Sequence, residues 1–116
     1  MEKTDAVAAL AALAQDNRLD VFRLLVQAGA DGLAAGAVAE RLSLAPNTLS
    51  FHFDRLRNAG LVTCRREGRS LIYAARYETM NGLLAYLTAN CCSGNAAACA
   101  PSTCEPAARN KAKVTA

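Results

Sequence analysis

Between Leu44 and Val62 the chain reads LAPNTLSFHFDRLRNAGLV, with Leu49, Phe53 and Leu56 at helical spacing. Pro46 suits a first helical turn, because proline has no N–H to lose there and its φ is already helical. Gly60 suits the stop that follows. On that helix Leu49, Phe53 and Leu56 turn inward, leaving Asn47, Thr48, Ser50, Phe51, Asp54 and Arg55 outside. His52, the only histidine, falls on the inner face and reads as a packed, hydrogen-bonded residue.

The flanking segments complete an order. A short helix around Gly36 to Leu42, with Val38, Ala39 and Leu42 inward, precedes this one across a tight turn. Upstream, Thr4 can cap a first helix carrying Val7, Leu10 and Leu13. Asp16 or Asn17 can cap a second, carrying Leu19, Phe22 and Leu25, before Gly29 to Gly32 break the chain. Downstream, two β-type runs, Val62 to Arg66 and Ser70 to Ala74, meet at a Gly-containing turn and read as a hairpin. Cys64, in that hairpin, reads as a small packed hydrophobe. A last helix from about Glu78 to Asn90 carries Met80, Leu83, Leu84 and Leu87 along one stripe. The expected fold is mainly α with a small β-hairpin, a winged helix-turn-helix spanning residues 1–90.

At 116 residues the chain supports one modest core. Its hydrophobic share of 53% is inflated by alanine, with 5% aromatic residues and no tryptophan, which favours helices packed through small side chains. The net charge of +3 permits a nucleic-acid partner without demanding one. No segment reaches the roughly 18 uninterrupted apolar residues of a membrane span, and MEKTDAVAAL has no signal-peptide character. These features point to the cytoplasm, where thiols stay reduced.

The outer face of the Pro46 helix has the chemistry of a DNA reader. Asn47, Thr48 and Ser50 offer short polar groups near a helix N-terminus, suited to groove edges and phosphates. Phe51 can touch a thymine methyl, and Arg55 continues the face. Arg65, Arg66 and Arg69 cluster at the hairpin, where they can neutralise phosphates or reach a minor groove. No activated nucleophile or acid–base pair is apparent, so an enzyme is not expected.

Three stretches, LAALAQDNRLDVFRLL, AERLSLAPNTLSFHFDRLRNAGLV and REGRSLIYA, resemble the ArsR/SmtB family of metal-responsive repressors. The middle one is the most specific: Ser50, His52 and Phe53, then Leu56 and Ala59-Gly60-Leu61-Val62, follow the family's recognition-helix pattern. The resemblance implies a homodimer on double-stranded operator DNA that is released when an ion binds, with the first and last helices at the dimer contact. Leu10, Met80, Leu83, Leu84 and Leu87 are the residues expected there. The chain departs from the family at Phe51, often histidine, and at Asp54, commonly lysine. Ala45 stands where a capping Ser or Thr is usual, which weakens the helix start by about 1 kcal/mol.

Two familiar metal sites of the family are missing. AVAERLSL holds no cysteine, and YETMNGLLAYLTAN offers Glu78 but no histidine. Instead Cys91, Cys92, Cys99 and Cys104 crowd into NCCSGNAAACAPSTCEP, in a segment 91–116 expected to be mobile unless tied down. On a continuing helix Cys91 and Cys92 would point about 100° apart. If the backbone unwinds at Asn90 their sulfurs can converge, with Cys99 as a third thiolate. Soft ligands select soft ions, and such a set resembles that of arsenite-responsive members of the family, so As(III) or Sb(III) is the expected effector. Cys104 is an alternative third ligand, or a fourth that would suit tetrahedral zinc or cadmium. A redox-sensing repressor and a thiol metal chaperone are the rival readings.

Overall fold

A computed structural model of the chain describes residues 1–94. Its elements run α1 (Lys3–Leu13), α2 (Asp16–Ala28), β1 (Leu33–Ala34), α3 (Ala35–Leu42), α4 (Pro46–Asn58), β2 (Val62–Glu67), β3 (Ser70–Ala75) and α5 (Tyr77–Thr88), with a short 3-10 turn at Cys91–Gly94. β3 is the central strand, antiparallel to β1 on one side and β2 on the other. Cys64 lies opposite Tyr73 and Arg65 opposite Ile72 in the hairpin, while Leu33 pairs with Tyr73 across the other edge.

The strand β1 has no signal in the sequence. Two residues carry no period, and Gly32 is what allows them to pair. Its φ is +74°, and any side chain added there would meet the carbonyl of Tyr73. Only glycine lets the backbone approach this closely.

α4 obeys its pattern throughout. Leu49, His52, Phe53 and Leu56 are buried, Pro46 sits in the first turn, and no side chain caps the Ala45 start. Gly60 follows the helix end with φ +77°. Phe53, Leu25, Leu56, Leu61, Val21 and Val38 form the fully enclosed centre. Phe53 lies flat against Tyr73, ring centroids 3.6 Å apart and planes within 3°. Burial, and then a hydrogen bond with Cys64, push the Tyr73 hydroxyl above its usual pKa. Cys64 is half-buried against this cluster, the packed role expected of it.

The outer helices differ from expectation in instructive ways. α1 faces the core through Ala6, Ala9 and Ala12, while Val7 and Leu10 are exposed. The methyl-only face turns inward because it lets α1 pack more closely. Leu19 likewise turns outward, while Phe22 and Leu25 are buried. Glu2, not Thr4, precedes α1, and its N–H donates to the Asp5 carboxylate at 3.1 Å. Gln15, not Asp16 or Asn17, caps α2: its side-chain oxygen accepts from the Arg18 N–H at 2.9 Å. α5 ends at Thr88, two residues short of Asn90. Along its stripe Leu84 and Leu87 are 54% and 55% exposed, but Leu83 at 6% belongs to the protomer's own core and Met80 packs against it. The apolar stripe therefore divides, rather than standing wholly outside.

Candidate nucleic-acid interface and terminal thiols

α3, the turn through Ser43, and α4 form the helix-turn-helix; Ser43 takes φ +55° to reverse the chain. α4 presents Asn47, Thr48, Ser50, Phe51, Asp54 and Arg55 outward as expected. Phe51 is 52% exposed, and the Arg55 guanidinium carbon sits 5.0 Å from the centre of its ring. Stacking on an aromatic face holds a guanidinium in place without neutralising it. The pair is thus an apolar plate and a cation presented together.

The three hairpin arginines are not equivalent. Arg66 and Arg69 are exposed at the wing tip. Arg65 is engaged within the protein: its Nε donates to Glu67 at 2.7 Å and its Nη2 to the Asp31 carbonyl at 3.0 Å. Those bonds tie the wing to the segment before β1. The sequence signal for this was Glu67, two residues on and therefore on the same strand face as Arg65.

His52 is 5% exposed, with its Nδ1 3.4 Å from Arg18 Nη1. A guanidinium can only donate, so Nδ1 accepts and the imidazole is neutral. Burial, and next the Arg18 charge, lower its pKa below 6.5. Below that pH the unfolded chain takes up a proton that the native state refuses, so stability rises with pH through the window between the two pKa values. Acidification from pH 7.5 to 5.5 is expected to lower the melting temperature of the native protein more than that of His52→Gln. Equal losses in the two proteins would remove His52 from this role.

At the far end, Asn90 and Cys92 adopt φ +60° and +56°. The helical path is broken there, so Cys91 and Cys92 do not follow the 100° spacing of a continuing helix. Cys91 is half-buried and Cys92 exposed. Cys99 and Cys104, with the rest of the segment assigned to residues 91–116, lie outside the described residues from position 95 onward. Among the described residues no three His, Cys, Asp or Glu side chains gather as a metal site. None of the described helices is long and apolar enough to cross a membrane.

Residues 13–65 match the family described as helix-turn-helix domain. The chain is 34% identical over 73 residues to the HTH-type transcriptional regulator YceK of Bacillus subtilis, covering 63% of this chain and 72% of that protein. The solved structure of HlyU from Vibrio cholerae is 35% identical, with a TM-score of 0.60, covering 75% of this chain and 97% of that one. A homodimeric winged helix-turn-helix DNA-binding domain from Mycobacterium bovis, described as a possible ArsR-family transcriptional regulator, is 27% identical with a TM-score of 0.62, covering 75% and 80%. An ArsR-like transcriptional regulator from Rhodococcus aligns with a TM-score of 0.64 at 25% identity, covering 72% and 76%. With the recognition helix, wing and element order in place, the chain belongs to the ArsR/SmtB family of winged helix-turn-helix transcriptional regulators.

Proposed function

We propose that the chain is a repressor that binds an inverted-repeat operator as a homodimer, and is released when As(III) or Sb(III) is held by Cys91, Cys92 and a third thiolate. Cys99 is the third ligand in this reading, with Cys104 as its alternative or as an additional ligand. One observation carries it: the Cys91-Cys92 pair follows within three residues of α5, a helix that displays Leu84 and Leu87 on an uncovered apolar face. With exposed Val7 and Leu10 of α1, these residues supply the kind of surface a second copy covers. The M. bovis relative, a homodimer in the same fold, supports that assembly.

The donor set is all sulfur, which suits a thiophilic ion. Convergence of the Cys91 and Cys92 thiolates pulls on the turn at Asn90, and so on the end of the dimer-forming helix. Spacing between the two copies of α4 then departs from the repeat of the operator. Release needs a coupling of about 1–3 kcal/mol between the two dimer states.

An operator selected from a random duplex library by the apo protein provides the assay. Fluorescence anisotropy should show dissociation by arsenite and antimonite at concentrations at least about tenfold below those of cadmium or zinc, a gap of about 1.4 kcal/mol. Release by zinc at the same concentration would replace the three-thiolate site with a tetrahedral one. Release by peroxide alone would make the same thiols a redox switch.

A further inference from the structure

A second constellation of chemistry lies where α1 and the start of α2 meet α4. Arg18 from the start of α2, and Arg55 and Asn58 from α4, line a cavity of about 240 Å³ that is otherwise walled by Ala8, Ala11, Ala12 and Ala59. No acidic residue lines it. The alanines offer only methyl groups, so two guanidiniums and one amide supply its side-chain polarity.

Arg18 is held toward the cavity and cannot swing freely to bulk water. Its Nε donates to the Ala12 carbonyl at 2.6 Å, and its Nη1 lies 3.4 Å from His52 Nδ1. Arg55 is braced by the Phe51 ring on the outer face. An adjoining cavity shares Ala8, Asn58 and Ala59 and contains Asp5, but that carboxylate accepts the Glu2 N–H. Two arginines thus border one cavity that no carboxylate lines, Arg18 held by its hydrogen bond and Arg55 set beside the Phe51 ring. Such a lining suits an anion, and the planar N–H fork of arginine matches a phosphate group.

The location selects the source of the phosphate. Arg55 and Phe51 belong to the face of α4 that reads DNA in the function proposed above, and the cavity opens beside that face. We infer that it takes one phosphodiester of the duplex backbone, gripped by Arg18 and Arg55 with the Asn58 amide as a third donor. The inference rests on α4 being the reading helix. It adds Arg18 and Asn58 to the DNA contact and gives each protomer a fixed seat beside its groove.

Asn58 is exposed at the last turn of α4, outside the buried core, so it carries the test. Full-length protein is titrated with a mixed-sequence 30-base-pair duplex across a salt series, because backbone contacts act on all sequences. Asn58→Asp should weaken binding about tenfold and lower the salt slope by about one per protomer; Asn58→Lys should do the reverse. Gln27→Asp, on a different face of α2, controls for net charge and should change neither by as much. Unchanged slopes in both Asn58 variants, with a normal wild-type slope, would overturn the cavity assignment alone. A wild-type chain that ignores the duplex would overturn the DNA reading and this inference with it. Thermal stabilisation of the wild type by inorganic phosphate, lost in Asn58→Asp while its duplex slope is unchanged, would make the cavity a free-anion site and also overturn the assignment.

Discussion

Cys92→Ser should remain on its operator at arsenite concentrations that strip the wild-type protein from DNA. Cys92 is exposed and follows the last regular helix, so a serine there costs the fold little. Serine reproduces the shape and removes the thiolate, which leaves two sulfurs of the three-thiolate set. The releasing concentration should rise at least about a hundredfold, or about 2.8 kcal/mol. Apo affinity for the same duplex should stay within about twofold, since no DNA-facing residue is touched. Cys91→Ser should behave alike, and separate Cys99→Ser and Cys104→Ser proteins assign the third ligand. Anisotropy with and without arsenite reads all four. If the Cys91 and Cys92 variants release as readily as wild type, the thiol site at the end of α5 is not the sensor.

The second large effect is on the fold itself. Phe53 is 1% exposed, and its ring lies against Tyr73. Phe53→Ala removes a fully buried aromatic and leaves a cavity between α4 and the sheet, at a cost of about 3–5 kcal/mol. The lost ring pair lies within that range rather than adding to it. Small domains have about 5–15 kcal/mol in total, so the variant should lose a large share of its stability and unfold at markedly lower urea. Urea denaturation followed by circular dichroism measures it. A loss below about 2 kcal/mol would mean that the Phe53–Tyr73 contact is not central to the core.

The parts of the molecule legible from sequence are those with a strong period. α4 showed its buried and exposed faces residue by residue, because Leu49, Phe53 and Leu56 leave one helical solution and Pro46 and Gly60 mark its ends. The hairpin followed from its alternation and its turn. The misreadings share physical causes. In α1 the spacing of Val7, Leu10 and Leu13 marks a helix without saying which face turns inward, and close packing selects the small face of Ala6, Ala9 and Ala12. At the helix starts several polar residues compete within one turn, and Glu2 and Gln15 prevailed over Thr4 and Asp16. β1 has no pattern of its own; it exists because β3 presents an edge and Gly32 lets the chain reach it.

At the candidate site, residue types were legible and partnerships were not. Glu67, two residues on, hinted at a partner for Arg65, but nothing local shows that Arg65 also reaches the Asp31 carbonyl while Arg66 and Arg69 stay at the tip. Nor does local spacing reveal that Arg18 crosses from α2 to meet His52 on α4, 34 positions later. Such contacts are set by tertiary packing, which no local period encodes.

The alanine face of α1 has a mechanical consequence. Bulky side chains interlock like teeth and resist axial sliding, whereas a row of methyls is nearly smooth. Ala6, Ala9 and Ala12 give α1 such a row. Its firmest polar anchor to the rest of the fold is the Ala12 carbonyl held by Arg18, at the helix's C-terminal end. The axial register of α1 therefore rests chiefly on that one polar bond, while its alanine row supplies closeness without interlock.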